Sequence, residues 1–350
     1  MAGKLTAMKR LYAGLIVAAG VFGVAGGGCS TPEPTAAPAK VAAKPDAAVI
    51  APLQDKPLYQ FSEREVDAYL RHLSATEPDL RKRIIHLARK NLAQPYELYL
   101  LGEAPFEQTD PQPIYCLDRS DCVVFAEHTL AMALSKDFPS FMSMLQRIRY
   151  KDGQIGVTTR NHYTEADWNV NNRWLVTDVT NRLGGDGVMA FAQKVDRAKF
   201  FKTRYKLDET MPIETIQETF IPYERIDSVK LLLKDGDVVN FVTGKGDGYW
   251  VGHVGLVSHG DDGTVNLIHS AKPQVREEPI DAYIARFSKN AAADDAAGKA
   301  RFRGFKFLRL TEHPMASLRA IDGPQAPVVK LPPGSTTTWE KYLESFNLGG

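Results

Sequence analysis

From Ser62 to Leu92 apolar residues recur every three to four positions. Val66, Tyr69, Leu70 and Leu73 follow the box Ser62-Glu63-Arg64-Glu65, whose hydroxyl and third-turn-position carboxylate can cap reciprocally, so a helix starts at Ser62. Leu80, Ile84, Leu87, Ala88 and Leu92 form a second stripe, which predicts a helix from near Thr76 with Pro78 and Asp79 in its first turn. Val123 to Leu134 is apolar on almost every side, the pattern of a helix buried at the centre of a domain, and Phe138 to Tyr150 reads as another. Beyond Asp152-Gly153 the period shortens. Ile155 to Thr159, Val238 to Val242, Val251 to Ser258, Val265 to Ser270 and Phe302 to Leu310 are predicted as antiparallel strands. Helices first and strands after them give an α+β domain rather than a doubly wound sheet. Asn290 to Lys299 reads as a surface loop, and residues 314–350 as an irregular tail.

The amino end follows a different logic. Lys4, Lys9 and Arg10 precede an apolar run from Leu11 to Ala25 that ends in Gly26-Gly27-Gly28-Cys29. The run is too short for an ordinary spanning helix and has the order of an export signal over residues 1–28. A cysteine directly after small residues resembles a bacterial lipobox, with Cys29 as the lipidated first residue, although Gly26 stands where such a box carries Leu or Val. Ser30 resembles the position that sends lipoproteins to the outer membrane, so the expected location is exported and lipid-anchored, on its periplasmic face. Residues 29–57 are Pro, Ala and Lys with few large apolar side chains, a tether rather than a fold. The folded domain is expected over residues 58–313, its first ordered contacts near Tyr59.

Composition removes several classes of function. With 44% hydrophobic and 24% charged residues the chain can bury a core, and 43 Lys plus Arg against 42 Asp plus Glu give no electrostatic footprint for nucleic acid. Three cysteines are too few for a disulfide framework.

Chemistry concentrates at one cysteine and two histidines. Cys122, in Asp121-Cys122-Val123, opens the central helix, where amides and the helix dipole favour a thiolate nucleophile. A buried structural cysteine is the alternative on position alone. His253 and His269 lie on two strands joined by His259-Gly260-Asp261-Asp262-Gly263 and are equidistant from Asp261. A hairpin centred there sets the imidazoles opposite one another on one face, β-carbons about 5 Å apart. His72, His86, His128, His259 and His313 read as surface or packing residues. Cys116, Cys122 and His128 do not match zinc-ligand spacing, so no metal and no cofactor is expected.

Pro95-Tyr96, the Asp121-Cys122 helix start, Asp235-Gly236-Asp237-Val238-Val239-Asn240-Phe241, His253-Val254-Gly255-Leu256-Val257 and Ile268-His269-Ser270, in this order, resemble the NlpC-like cell-wall cysteine hydrolases, which have a papain-like fold. The resemblance covers about Glu65 to Leu310. It implies Cys122 as nucleophile, His253 as base, His269 as orienting group and Tyr96 at the oxyanion. The long insertion from Thr158 to Asn172, with Asp178-Val179-Thr180, resembles the N-acetylmuramoyl-L-alanine amidase-like branch. In that branch Asn161, His162, Tyr163, Asp167, Trp168 and Asn172 are expected to meet the sugar-peptide substrate, the aromatics by stacking and the others by hydrogen bonds. The implied reaction is hydrolysis of the muramoyl-L-alanine amide of peptidoglycan fragments, including anhydro-muropeptides, through an acyl-enzyme. Alternatives are a γ-D-glutamyl-diamino-acid endopeptidase, a thiol acyltransferase and a non-catalytic muropeptide binder. The expected partners are muropeptides and, through Cys29, a membrane.

Overall fold

The computed structural model describes residues 47–348. The expected signal segment, its lipidation site Cys29 and most of the expected tether lie outside the described residues. Ordered packing starts earlier than Tyr59. A short helix α1 (Ala47–Ile50) and the turn Ala51–Leu53 send Ile50 and Leu53, each 3% exposed, into the main core. The apolar pair spaced by three residues is what draws this end of the Pro/Ala-rich stretch into the domain.

α2 (Glu63–Thr76) begins as its capping box requires, with the Ser62 side chain accepting from the Glu65 N–H and the Glu65 carboxylate accepting from the Ser62 N–H at 2.8 Å. α3 (Leu80–Lys90) starts later than its sequence suggests. Asp79 is the residue before the helix, not within its first turn, and its carboxylate accepts from the N–H groups of Arg81 and Lys82. α4 (Cys122–Ala133) and α5 (Phe138–Arg149) are capped in the same manner by Asp121 and Asp137. Ten of the twelve residues of α4 are buried, as a helix without a polar face must be.

The stretch Ile155 to Thr159 is not a strand. The chain turns at Gly156, whose carbonyl accepts from the Thr159 N–H, and Ile155 donates only to the Lys330 carbonyl. A single bridge between Gln154 and Lys330 flanks its start, and the chain turns before a ladder can form. There follow α6 (Asn169–Asn171), β1 (Val176–Asp178), α7 (Thr180–Gly184), β2 (Met189–Val195), α8 (Arg197–Tyr205) and β3 (Glu214–Pro222). The five remaining strands are β4 (Val238–Lys245), β5 (Gly248–His259), β6 (Val265–Ala271), β7 (Gln274–Pro279) and β8 (Arg301–Leu310). Between β7 and β8 lie α9 (Ile280–Ser288) and, where a surface loop is expected, the short exposed helix α10 (Ala291–Ala296).

The strands form one antiparallel sheet in the order β2-β3-β8-β4-β5-β6-β7, with β1 also paired to β8. Alternation along the strands feeds two cores. Val238, Leu256, Ile268 and Leu308 face α2–α5, whereas Val239, Phe241, Val257, Leu267, Phe305 and Phe307 pack with Ile280 and Tyr283 of α9. The observed class is therefore a mixed α+β domain with an antiparallel sheet.

The tail is ordered where irregular chain is expected. It contains α11 (Pro314–Asp322) and α12 (Trp339–Glu344). Trp339 donates its indole N–H to Ser143 at 2.9 Å, and Phe346 sits edge-on to Tyr115 and Phe138. Arg147, its side chain 2% exposed, meets Asp322 at 2.9 Å. Removing one partner of such a pair leaves a buried charge uncompensated, so Asp322→Ala is expected to cost about 3–5 kcal/mol. Urea unfolding should show a lower midpoint with an unchanged slope, and an unchanged midpoint refutes this account.

Candidate active site

Cys122 is the first residue of α4 because Asp121 ends the preceding extended chain and accepts from the N–H groups of Val123 and Val124, at 2.9 and 2.8 Å. The sulfur therefore stands at the positive end of a buried helix. The backbone N–H of Val254, on β5, is directed at it and, with those of Val123 and Cys122 itself, favours the thiolate. Burial and the Asp121 carboxylate outweigh them and push the thiol up to about 12. These influences favour the thiol form, against the pull of the helix position.

His253 precedes Val254. A bulge between Phe241 and Val242 leaves Gly252 unpaired immediately before it, a device that re-aims the following side chain. A β-carbon at Gly252 would lie 2.6 Å from the Thr243 hydroxyl, so the close strand approach requires glycine. The hairpin is not centred on Asp261. Gly263 turns with φ +80° and the pairing is Leu256 to Ile268 through His259 to Val265, which sets His269 opposite Gly255 instead of His253. A shift of two residues keeps both histidines on one face. Gly255 then gives His269 its room: a β-carbon there would be 2.9 Å from that of His269.

The imidazoles meet diagonally, His253 Nε2 to His269 Nδ1 at 2.8 Å, and His269 Nε2 lies 2.8 Å from Glu278 Oε1. Burial works to raise the Glu278 carboxyl, but His269 and Arg286 outweigh it and hold it at about 2; Arg286 binds both its oxygens at 2.6 Å. Burial lowers both histidines, His253 to about 3. The hydrogen-bond network then assigns the tautomers. An ionised Glu278 only accepts, so His269 Nε2 carries the proton, His269 Nδ1 accepts from His253 Nε2, and His253 Nδ1 keeps its lone pair. Glu278 and Arg286 were not visible in the sequence pattern. Glu278 belongs to β7, and only the β6–β7 register, His269 opposite Arg276 and Leu267 opposite Glu278, carries it beside His269.

Tyr96 is held by backbone bonds on both sides. Its N–H donates to Pro273, Ser120 donates to Pro95, and Glu97 donates to Ser120. The loop is thus bound to Ser120, two residues before Cys122. Burial raises the Tyr96 phenol and the Cys122 sulfur raises it further, so the two groups share one electrostatic neighbourhood.

The insertion uses much of its polarity on itself. Asn161 donates to the Ile148 carbonyl and accepts from Asn171, and His162 bonds the Val157 carbonyl among Phe200, Phe201 and Tyr205. Asp167 accepts from the Tyr163 N–H and pairs with Arg197 at 2.6 Å, and the Tyr163 ring lies against Phe200. Trp168 is 6% exposed with its indole N–H on Glu127, and Asn172 is fully buried on the Ile148 and Trp168 carbonyls. Trp168 lines a narrow pocket with Asn161, His162, Val123 and Val254, whereas Asn172 is enclosed in the core. A cleft of about 450 Å³ beside Asp121 and Val123 is lined by Asn161 and His162 from the expected set and by Tyr99, Arg160 and Arg204, which sequence reasoning missed. Tyr163 and Asp167 face a separate hollow of about 350 Å³.

A thiol raised by burial has a testable signature. Alkylation of Cys122 by a small neutral electrophile should climb with pH through the ordinary thiol range without a plateau at neutrality, because the thiolate fraction grows tenfold per pH unit below the pKa. A plateau between pH 5 and 8, read by mass analysis of the modified peptide, contradicts the neutral resting thiol.

The sequence matches the family described as AmiA-like, N-acetylmuramoyl-L-alanine amidase-like, over residues 86–290, more than half of the chain. Among solved structures it is similar to a Legionella pneumophila protein of the DUF1460 family, with a TM-score of 0.60 at 17% identity over 71% of this chain and 94% of that one. It is also similar to an N-acetylmuramoyl-L-alanine amidase from Bacteroides uniformis, with a TM-score of 0.51 at 23% identity over 66% of this chain and 100% of that one. At such identities the likeness is one of fold. No curated protein matches the sequence. The profile match spans the segment that holds Cys122, both histidines and Glu278, and by it the chain belongs to the N-acetylmuramoyl-L-alanine amidase-like family.

Proposed function

We propose that the protein is a cysteine amidase that hydrolyses the bond between muramic acid and L-alanine in peptidoglycan fragments, anhydro-muropeptides among them. The observation that carries this reading is the line Glu278–His269–His253, which ends beside Val254, whose N–H is directed at Cys122. The helix-borne cysteine followed by two strand-borne histidines also supports an NlpC-like, papain-type arrangement.

In this mechanism His253 Nδ1 takes the Cys122 proton as sulfur bonds to the lactyl carbonyl carbon. The neutral resting pair makes this a general-base step rather than attack by a preformed thiolate. The Cys122 N–H and the Tyr96 hydroxyl stabilise the oxyanion. His253 then protonates the departing L-alanine nitrogen as the C–N bond breaks, leaving a thioester. It next takes a proton from water, whose oxygen bonds to the acyl carbon, and the C–S bond breaks to return the thiol and a muramic acid carboxylate. His269 and Glu278 keep Nδ1 directed at the reaction and stabilise the imidazolium that forms twice per cycle.

Incubation with defined muropeptides and weighing of the products tests the assignment. The expected products are the intact sugar acid and a peptide beginning with L-alanine; cleavage between glutamate and the diamino acid instead would replace this reading with an endopeptidase. Cys122→Ala is expected to lose turnover by at least about three orders of magnitude while still binding substrate, and undiminished turnover would end the cysteine mechanism.

We further propose that residues 1–28 direct export, that Cys29 carries the lipid, and that the tether ends before Ala47, leaving the domain at the periplasmic face of the outer membrane. Cys29→Ser is expected to move the protein from the membrane to the soluble fraction with full activity. A variant that remains on the membrane overturns the lipid anchor.

A further inference from the structure

The cleft lined by Asp121 and Val123, the chain neighbours of Cys122, carries a cation that nothing among the described residues neutralises. Three arginines line it. Arg149 is buried against Glu127 and the Leu101 carbonyl, and Arg160 is spent on Glu103 at 3.2 Å, Asp110 at 2.9 Å and the Tyr205 hydroxyl at 2.7 Å. Arg204, near the end of α8, is exposed and makes no ion pair among the described residues. Its guanidinium carbon lies 4.2 Å from the centre of the Tyr99 ring. Tyr99 is itself 68% exposed and is held at φ 62°, a left-handed conformation rare for an aromatic residue, three positions after Tyr96. An arginine stacked in this way is positioned at little entropic cost and keeps its in-plane N–H edges open, the geometry that takes a carboxylate with two parallel hydrogen bonds.

The chemistry of the proposed substrate identifies the anion, and this step rests on the amidase reading above. On the sugar side of the scissile bond the muramic carboxyl is consumed in the amide, so that side offers no charge. On the peptide side L-alanine is followed by a D-glutamyl residue linked through its γ-carboxyl, which leaves its α-carboxylate free. Two extended residues from the scissile carbonyl span about 7 Å, within a cleft of this size. We propose that Arg204, standing on Tyr99, binds the α-carboxylate of the D-glutamyl residue and so selects the leaving peptide by its charge.

The test uses the full chain with two probes: N-acetylmuramoyl-L-alanyl-D-glutamate with its γ-carboxyl capped as the methylamide, as it is capped in the stem peptide, and the same compound with its α-carboxylate converted to the carboxamide. The native protein should prefer the acid about tenfold in kcat/KM, expressed in KM. Arg204→Ala should lose about tenfold on the acid and less than twofold on the amide, erasing the preference, whereas Arg204→Lys should keep part of it. Equal losses on both probes, or a native protein that cleaves both equally, overturn the carboxylate assignment and leave the amidase reading intact. A native protein that cleaves neither overturns the amidase reading, and the assignment with it.

Discussion

Ser120 is 1% exposed, and its hydroxyl donates to Gln94 Oε1 at 2.7 Å while its carbonyl accepts from the Ser270 hydroxyl at 2.8 Å. These two buried hydrogen bonds join three segments that are distant in sequence. Gln94 precedes the Tyr96 loop, Ser120 lies two residues before Cys122, and Ser270 follows His269. Each bond is worth only about 1 kcal/mol net, but leaving one of these buried groups unmatched costs about 1–3 kcal/mol. These bonds tie together the segments that carry the phenol, the thiol and the imidazole. The aliphatic core supplies most of the driving force for folding, but it does not fix a catalytic geometry to fractions of an ångström.

A second polar layer forms part of the cleft wall. Glu103, Glu127 and Arg149 are all buried, and with Arg160 and Tyr150 they form a continuous ionic network under the insertion. Burial raises Glu127 to about 7 against the pull of Arg149. Such charges are expensive to bury and are weak evidence of added stability. Their evident consequence is local: Trp168 hangs its indole on Glu127, and Arg160 ties the insertion to Glu103 and Asp110. The insertion is thereby held rigidly as a wall of the cleft.

Local chemistry made much of this legible in the sequence. The capping box at Ser62 fixes a helix start without any knowledge of the rest of the chain, and the acid before Cys122 does the same for α4. The alternation of β4, β5, β6 and β8 is equally local. The failures occurred where a distant partner decides. Hairpin register turned on whether Asp261 or Asp262 is central, a choice made by the left-handed turn at Gly263. Trp168 stands mostly buried with its N–H on Glu127, a partner the local sequence does not name. Glu278 looks like one more charge on a polar strand until β7 is laid beside β6. In the tail, Trp339, Tyr342 and Phe346 recur at helical spacing and touch one another in turn, but the partners that dock them, Phe106, Tyr115 and Phe138, lie far away in sequence.

That tail bears on the order in which the protein is made. Arg64, in the first long helix, donates to the carbonyl of Asn347, and α12 closes over Phe106. Arg147 in α5 waits for Asp322. The helical half emerges first during synthesis, yet it remains open at both of these places until the last residues arrive. Folding that runs from the amino end therefore cannot complete these contacts until the carboxyl-terminal residues are present.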